Sequence, residues 1–333
     1  MASNQPKVAV IGGGSWATAI VKMLCNNLDV VHWWMRNQKA VEHLEQYLHN
    51  PHYLPSVQFE REKIQVSTDL KKTIDTADVL VIVIPGAFLY STFNEVALEG
   101  MEKKLIFSAI KGMVPEYNAI PARFFHKQFG TPYDRIGIVS GPCHAEEVAM
   151  EKLSYLTIAC PNQENARQMA DWLACRYIKT SISDDLFGTE LSAVLKNVVA
   201  IASGIYHGLG YGDNFQALLI ANAIREIERF VDKVNPIHRD VKSSAYLGDL
   251  LVTAYSQFSR NRTFGNMVGK GYSVKAAQLE MNMIAEGFYA VKSIKEINKK
   301  FEVDTPIVDA VYNILYEKIS PVLEMRLLAD KLS

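Results

Sequence analysis

The first half of the chain alternates short apolar runs with stretches of helical, amphipathic spacing. Each run is rich in β-branched or other apolar residues, and polar turns separate it from the helical stretches around it. Alternation of this kind is typical of a doubly wound α/β sheet. We therefore predict an α/β domain over residues 1–184, with strands at 29–37, 79–84, 105–107, 136–139, 156–159 and 177–181.

The second half of the chain has a different pattern. Beyond Gly188 the strand pattern disappears, and apolar residues such as Leu191, Val194 and Val198 recur at helical spacing. The segment 215–231 is apolar around most of its circumference, so we predict a buried helix there. Because 333 residues exceed the size at which one core usually stops growing, we predict a separate all-helical domain over residues 185–333.

A glycine-rich run at residues 8–17 joins the first apolar strand to a helix. Gly12 permits the tight turn, Gly14 lets the backbone approach a pyrophosphate, and Ala17 is small enough for close packing of helix on strand. The N-terminus of the helix offers N–H groups and the positive end of its dipole to an anion. The run therefore predicts a dinucleotide-binding Rossmann domain.

The end of the second strand indicates which dinucleotide is bound. A site that prefers NAD usually has Asp or Glu there, which accepts hydrogen bonds from the ribose hydroxyls, but this chain has Arg36. A guanidinium pairs with a 2′-phosphate, so the expected cofactor is NAD or NADP, with NADPH used. Stacking of Arg36 on the adenine, or its exposure to solvent, is the alternative.

Composition and charge narrow the class of protein. The net charge of −1 argues against a general role at nucleic acids or membrane surfaces. No apolar run of membrane-spanning length and no signal segment at residues 1–6 are recognised, so we expect a cytoplasmic protein. The four cysteines and eight histidines lack the spacing of metal ligands, so we expect reduced thiols and no metal site.

Two polar motifs follow strands in the first half. Lys111 comes after the strand at 105–107, and open α/β sheets bind ligands at the carboxyl ends of their strands. Cys143 and His144 come after the strand at 136–139. No base for Cys143 is identifiable, so pocket lining is favoured over a nucleophilic role. For Lys111 a solvated loop lysine remains the alternative. For His144 a packing role is favoured over a role as an acid.

Charged residues interrupt the apolar pattern of the helical half. Lys196 and Asn197 lie in an apolar helix beside small residues, and burial would lower the pKa of the lysine towards proton exchange near neutrality. Asp249 could be its ion partner, and Arg260 has the planar fork that suits a phosphate. For each of these residues a surface charge is the alternative interpretation.

Together these motifs resemble one family, the NAD(P)-dependent glycerol-3-phosphate dehydrogenases. The resemblance implies a Rossmann domain, a helical substrate domain, and reversible NAD(P)H-dependent reduction of dihydroxyacetone phosphate to sn-glycerol 3-phosphate, supplying glycerophospholipid synthesis. It also implies a small-molecule substrate, no nucleic acid and no membrane span, and it admits a homodimer. It is carried by residues 12–16, 50–55, 111–112, 140–142, 147–149, 195–198, 212–214, 248–250, 259–265 and 286–287.

The resemblance assigns roles to individual residues. It makes Lys196 the proton donor and acceptor, with Lys111 and Asp249 as the other catalytic residues; the two lysines would stabilise the negative charge that hydride transfer leaves on the carbonyl oxygen. The substrate positions are Lys111, Gly141, Cys143, Lys196, Asp249, Thr253, Ser259, Arg260 and Asn261. The cofactor positions are Gly12, Gly14, Ser15, Trp16, Arg36, Lys111, Ala145, Arg260, Ile284 and Glu286.

The chain departs from the family pattern at four positions. Ala17 replaces a glycine, Gly86 replaces a common Ser, and Cys143 stands where Ser or Thr is general. Asn222 stands where many relatives carry Arg, which leaves a detail of the helical domain open.

Three other hypotheses remain. In a β-hydroxyacid dehydrogenase of the same architecture Arg260 would bind a carboxylate. A nucleotide-sensing module without a proton donor is disfavoured because Lys111, Lys196 and Asp249 are all present. An interaction scaffold would not need these polar motifs.

Overall fold

A computed structural model of the chain describes residues 5–281 and 285–333. The chain divides into two compact units. The first contains residues up to 84, 88–110 and 121–186, and the second contains residues 85–87, 111–120 and 187–333. Two short loops from the first half therefore belong to the second unit, and the domain boundary at 184–185 stays a prediction.

The first unit is built on an eight-stranded sheet, in the order β3-β2-β1-β4-β5-β6-β7-β8. All neighbouring strands are parallel except β6 and β7, which are antiparallel. Central strands are buried throughout, which is why they read as continuous apolar runs. The predicted α/β class is confirmed. The strands are β1 (Val8–Ile11), β2 (Val31–Trp34), β3 (Ile64–Ser67), β4 (Val79–Ile82), β5 (Leu105–Ser108), β6 (Ile136–Ser140), β7 (Ser154–Ala159) and β8 (Ile178–Ser183).

Strand β3 was not predicted from the sequence. It lies at the sheet edge, and only Ile64 and Val66 among its four residues are apolar. An edge strand needs little burial and therefore few apolar residues. An alternation of only four residues is too short to recognise. The strand predicted at 29–37 is also shorter than expected and spans only Val31–Trp34.

Helices accompany the strands of the first unit. The first of them begins at the glycine turn and buries Ala17, Ile20 and Leu24 in the core of this unit. The helices are α1 (Ser15–Leu24), α2 (Gln38–Tyr47), α3 (Leu70–Thr76), α4 (Leu89–Asn94), α5 (Pro121–Phe129), α6 (Ala145–Ala149) and α7 (Gln163–Leu173).

The second unit is helical. Among the residues that the structure describes, no strand follows β8, which confirms the helical pattern predicted after Gly188. A π-helical turn at Ser244–Gly248 leads directly into α10. The helices are α8 (Leu186–Gly208), α9 (Asp213–Val234), α10 (Asp249–Tyr255), α11 (Arg260–Gly269), α12 (Val274–Glu280), α13 (Glu286–Phe301), α14 (Pro306–Leu315) and α15 (Pro321–Ala329).

Helices α8 and α9 correct two expectations. By length and composition α8 is apolar enough to cross a membrane, so the expectation that no run reaches that length is wrong; 94% of its apolar window is buried inside the protein, as in a core helix.

Helix α9 is not buried all round. It buries one face, including Ala223 and Phe230, and exposes Arg225 and Arg229, because charged residues return at helical spacing on its other side.

Helices α8 and α11 cross with their backbones in direct contact. A Cβ added at Gly204 would lie 2.1 Å from the carbonyl oxygen of Arg262, and one added at Gly265 would lie 2.1 Å from that of Ile201. Gly208 and Gly269 repeat the arrangement one turn further on. The helix that carries Lys196 is thus held against the helix that begins at Arg260.

Candidate functional site

Two lysines share one buried carboxylate in the second unit. Lys196 of α8 and Asp249 of α10 are 3% and 1% exposed, and Lys196 Nζ donates to Asp249 Oδ1. The expected ion pair between them is therefore present. Lys111 Nζ lies 3.3 Å from Asp249 Oδ2 and 3.4 Å from Oδ1. Two cations and one anion leave this cluster with a net positive charge when all three groups are ionised.

Thr253 completes the surroundings of the Lys196 ammonium. Its Oγ1 donates to the carbonyl oxygen of Asp249 at 2.6 Å, so this hydroxyl acts as acceptor towards Lys196 Nζ, 2.9 Å away. An ammonium group has three donors. Asp249 and Thr253 accept from two of them.

Burial controls the protonation of this cluster. It lowers the pKa of Lys196 to about 7, with the Lys111 cation acting in the same direction and the Asp249 carboxylate opposing both. Burial acting alone would raise the pKa of Asp249, but Lys111 and Lys196 outweigh it and hold that pKa below its ordinary value. Asp249 therefore stays ionised at neutral pH, while Lys196 can gain or lose a proton.

Asn197 was seen in the sequence as a break in an apolar helix but was given no role in the site. The structure shows its Nδ2 donating to the carbonyl oxygen of Lys111 at 2.6 Å. This bond ties the loop of Lys111 to the helix of Lys196. The available signal was a second polar residue beside Lys196 in an apolar stretch. In the same unit Asn261 Oδ1 accepts a hydrogen bond from Gly287 N at 2.9 Å.

Glu286 lies against two glycine loops. Its Oε1 accepts a hydrogen bond from Gly86 N at 3.2 Å, and a Cβ added at Gly112 would lie 3.1 Å from its carboxyl carbon. Burial raises the pKa of Glu286, opposed mainly by the Arg260 cation. At Gly86 a Cβ would come within 2.4 Å of the Met113 carbonyl oxygen, so the departure from Ser at this position has a steric reason.

The start of α11 presents an exposed guanidinium. Ser259 is buried and caps the helix, its Oγ accepting from Arg262 N at 3.3 Å. Arg260 is the first residue of the helix and is exposed. A cation beside the positive end of a helix dipole suits a phosphate. Ile284, which the resemblance placed at the cofactor, lies outside the described residues.

The glycine turn of the first unit fits a dinucleotide. Gly12 has φ +142°, and a Cβ there would lie 2.2 Å from the Val83 carbonyl oxygen, so only glycine fits at this position. At Gly14 a Cβ would meet no atom within 4 Å, and Gly14 precedes α1 without a side-chain cap. The turn thus combines open space with the N–H groups of a helix N-terminus, as pyrophosphate binding requires.

The remaining cofactor and substrate positions of the first unit lie at strand ends and helix starts. Ser15 is buried and Trp16 half-buried in the first turn of α1, and Arg36 is exposed two residues after β2. The other three follow β6: Gly141 with φ +117°, buried Cys143, and Ala145 at the start of α6. Gly141 and Cys143 belong to the first unit, whereas the other substrate positions belong to the second.

The described residues offer no group of side chains that could bind a metal ion. Within residues 5–281 and 285–333, no group of three or more His, Cys, Asp or Glu side chains could hold a metal ion. A Rossmann sheet with this turn, and a helical unit with a buried lysine–aspartate pair, define the class as an NAD(P)-dependent oxidoreductase.

Comparisons with known proteins give the family. The model of the NAD-dependent glycerol-3-phosphate dehydrogenase N-terminus matches residues 7–166, and that of the C-terminus matches residues 185–325. A glycerol-3-phosphate dehydrogenase [NAD(P)+] of Staphylococcus carnosus is 32% identical over 314 residues, 94% of each chain. The crystal structure of glycerol-3-phosphate dehydrogenase from Coxiella burnetii has a TM-score of 0.89 and 27% identity, covering 98% of this chain and 99% of that one. The chain therefore belongs to the NAD-dependent glycerol-3-phosphate dehydrogenase family.

Proposed function

We propose that this chain catalyses the reversible NAD(P)H-dependent reduction of dihydroxyacetone phosphate to sn-glycerol 3-phosphate, with Lys196 as the proton donor. The observation that carries the proposal is the buried cluster in which Lys196 and Lys111 share Asp249. A buried lysine whose pKa is about 7 can give up its proton at neutral pH and take it back in the reverse direction.

The first unit would hold the cofactor. Gly14 and Ser15 would bind the pyrophosphate through backbone N–H groups at the turn that Gly12 allows, and Arg36 would meet the adenosine ribose. When bound in its reduced form, the nicotinamide supplies the hydride that the carbonyl carbon of the substrate accepts. The family resemblance also places Trp16 and Ala145 of this unit at the cofactor, together with Lys111, Arg260 and Glu286 of the second unit.

The second unit would hold and activate the substrate. The third N–H of Lys196 would donate to the carbonyl oxygen and, as negative charge develops there, transfer its proton to that oxygen. Lys111 would add a second positive charge beside the same oxygen, while Asp249 and Thr253 fix the direction of the Lys196 ammonium. In the oxidation of glycerol 3-phosphate the neutral Lys196 amine takes the hydroxyl proton.

The phosphate of the substrate would be anchored at the start of α11. Arg260 offers two parallel N–H donors to phosphate oxygens. The buried Ser259 caps the first turn of the helix, and the buried Asn261 accepts from Gly287 N of α13. An anchored phosphate orients the carbonyl and converts binding energy into alignment of the reacting atoms. Gly141 and Cys143 are retained as substrate positions on the family resemblance alone.

The biological setting follows from this activity. The product is the backbone of glycerophospholipids, so supply of lipid synthesis in the cytoplasm is the proposed role. A dinucleotide domain over residues 1–184, a substrate domain over 185–333 and a homodimer are part of the same proposal.

The proposal is tested by following NADPH and NADH absorbance in the purified protein. Dihydroxyacetone phosphate should cause rapid loss of absorbance, and a panel of 2-keto acids should not. The converse result, turnover of a keto acid and none of dihydroxyacetone phosphate, would assign the chain to the β-hydroxyacid alternative. Binding of NADPH without turnover of any substrate would indicate a nucleotide sensor.

A further inference from the structure

The motif at residues 50–55 has no role in the chemistry proposed above, yet its first residue is one of the most completely hydrogen-bonded side chains in the first unit. Asn50 is fully buried. Its Nδ2 donates to the carbonyl oxygen of Gly13 at 3.1 Å and to Thr18 Oγ1 at 2.9 Å. Its Oδ1 accepts from His52 N at 3.0 Å and Tyr53 N at 3.3 Å. Both donors and both acceptor positions of the amide are therefore used.

These four bonds fix which end of the amide faces the glycine turn. Exchanging its nitrogen and oxygen would set an acceptor against the Gly13 carbonyl and the NH₂ group against two backbone N–H groups. The hydroxyl of Thr18 extends the chain of bonds, because it accepts from Asn50 and donates to the carbonyl oxygen of Gly14 at 3.0 Å. Asn50 thus holds the Gly13 carbonyl directly. Through Thr18 Oγ1 it adds a second bond to the Gly14 carbonyl, which also accepts from Thr18 N at 3.0 Å.

Holding a carbonyl also aims the next N–H group. In a trans peptide the C=O and the following N–H point in opposite directions within one plane, and no cis peptide occurs in the described residues. Fixing the carbonyls of Gly13 and Gly14 therefore sets the directions of the N–H groups of Gly14 and Ser15. Those are the groups at the N-terminus of α1, beside the open space at Gly14.

We propose that Asn50 is a positioning residue for the cofactor: it pre-orients the Gly14 and Ser15 amides that bind the dinucleotide pyrophosphate. The inference rests on the proposed placement of the pyrophosphate at the glycine turn. Glycine peptides rotate easily, and a binding loop that is already ordered loses less entropy when ligand binds. Asn50 removes that freedom from the 12–15 turn before the cofactor arrives.

The principal test replaces Asn50 by Asp, which keeps the shape and the two accepted bonds but removes both donors. The Kd for NADPH, measured by its fluorescence, should rise about tenfold or more, because the Gly13 carbonyl and the Thr18 hydroxyl lose their donor. Hydrogen exchange of residues 12–16 in the cofactor-free protein should become faster. The KM for dihydroxyacetone phosphate at saturating NADPH should change less than about two-fold, since the second unit is untouched.

Asn162→Asp is the matched control. Asn162 Oδ1 also accepts from the backbone N–H groups two and three residues ahead, in the same unit, at the start of α7. Its replacement should leave both the Kd and the exchange of residues 12–16 unchanged. If Asn50→Asp fails to fold, Thr18→Val tests the relay alone and should raise the Kd, while Thr18→Ser, which keeps the hydroxyl, should restore it.

Gly14→Val separates this inference from the proposed function. A side chain there enters open space without a clash and would occupy the place proposed for the pyrophosphate. If Gly14→Val leaves the Kd unchanged, the cofactor placement itself is wrong. If Gly14→Val weakens binding while folded Asn50→Asp and Thr18→Val both keep a Kd within about two-fold of the unmodified protein, the role of Asn50 is overturned.

Discussion

Lys196 is the residue on which the proposed chemistry depends most directly. Lys196→Met keeps the length and apolar stem of the side chain but removes the proton donor, so kcat should fall by about 10²–10⁴-fold. The Kd for NADPH should stay close to normal, because its proposed ligands in the first unit are unchanged. Lys299→Met, at an exposed lysine paired with Glu296, is the control and should keep full turnover. Near-normal turnover in a folded Lys196→Met protein would remove Lys196 from the mechanism.

Arg260 can be tested by a change that preserves charge. Arg260→Lys loses the two parallel donors, and a charge-assisted hydrogen bond contributes about 1.5–3 kcal/mol, so the KM for dihydroxyacetone phosphate should rise about tenfold or more. Dihydroxyacetone, which lacks the phosphate, should be affected little. Equal losses on both substrates would exclude a role of Arg260 in phosphate recognition.

Arg36 decides the coenzyme preference in the proposed scheme. The unmodified protein should use NADPH, because no carboxylate follows β2 and Arg36 is exposed and able to pair with the 2′-phosphate. Arg36→Asp adds a ribose acceptor and a charge that repels the phosphate, so the ratio of kcat/KM for NADPH to that for NADH should fall at least about tenfold. Arg61→Asp, at another exposed arginine of the first unit, should leave the ratio unchanged. Strict dependence on NADH in the unmodified protein would show that Arg36 does not read the ribose.

At the scale of the element, the contact between α8 and α11 holds together the two helices that carry Lys196 and Arg260. Gly204→Ala gains about 1 kcal/mol of helix propensity, but its Cβ would lie 2.1 Å from a backbone oxygen that cannot move without parting the helices. Overpacking of this kind costs about 1–3 kcal/mol or more, so urea unfolding should show a net loss of stability. Gly212→Ala, where a Cβ meets nothing within 4 Å, should cost less than about 1 kcal/mol, the difference between glycine and alanine at the N-cap of α9. A Gly204→Ala protein as stable as the Gly212→Ala protein would mean that the helices separate freely.

The elements show how far the sequence alone could predict this protein. Buried parallel strands and the glycine turn were recognised because their apolar runs and spacing are local properties of the chain. Strand β3 was missed because an edge strand carries a weak pattern, and α9 was assigned too much burial because its apolar content hid one charged face. The glycines four residues apart in α8 and α11 were visible in the sequence, but nothing local says that two such helices meet.

The site was predictable to a different degree. The sequence suggested Asp249 as the ion partner of Lys196, 53 residues earlier, but spacing alone left a surface charge as the alternative until the structure showed the pair. Asn50 and Asn197 received no role, because the partners of an amide side chain are determined by tertiary structure. Charged residues in apolar helices stand out in a sequence; amides that orient backbone groups do not.

At the scale of the whole molecule, the two units have different proposed roles in binding. Residues expected to bind the dinucleotide pyrophosphate and ribose lie in the first unit, and the lysine cluster and Arg260 lie in the second. Variants of Asn50 and Gly14 should therefore change the cofactor Kd and leave the substrate KM nearly unchanged. An Asn50 or Gly14 variant that changed both equally would indicate an effect on folding and not on recognition.

The pH dependence of the two reaction directions tests the proton transfer in the intact enzyme. Burial brings the pKa of Lys196 down to about 7, so the ammonium form, which reduction needs, is lost as pH rises through that value. kcat for reduction should therefore fall above about pH 7, and kcat for oxidation, which needs the neutral amine, should rise over the same range.

Lys111→Met tests whether Lys196 is the group that titrates in these pH profiles. Lys111 is one of the charges that lower the pKa of Lys196, so its removal should move the midpoint of both residual profiles to higher pH, whatever the loss of rate. Lys295→Met, at a half-exposed lysine paired with Asp309, is the control and should leave the midpoint in place. Profiles that run in the same direction for reduction and oxidation would contradict a single acid–base group. A midpoint that Lys111→Met does not move would show that the titrating group lies outside the cluster of Lys111, Lys196 and Asp249.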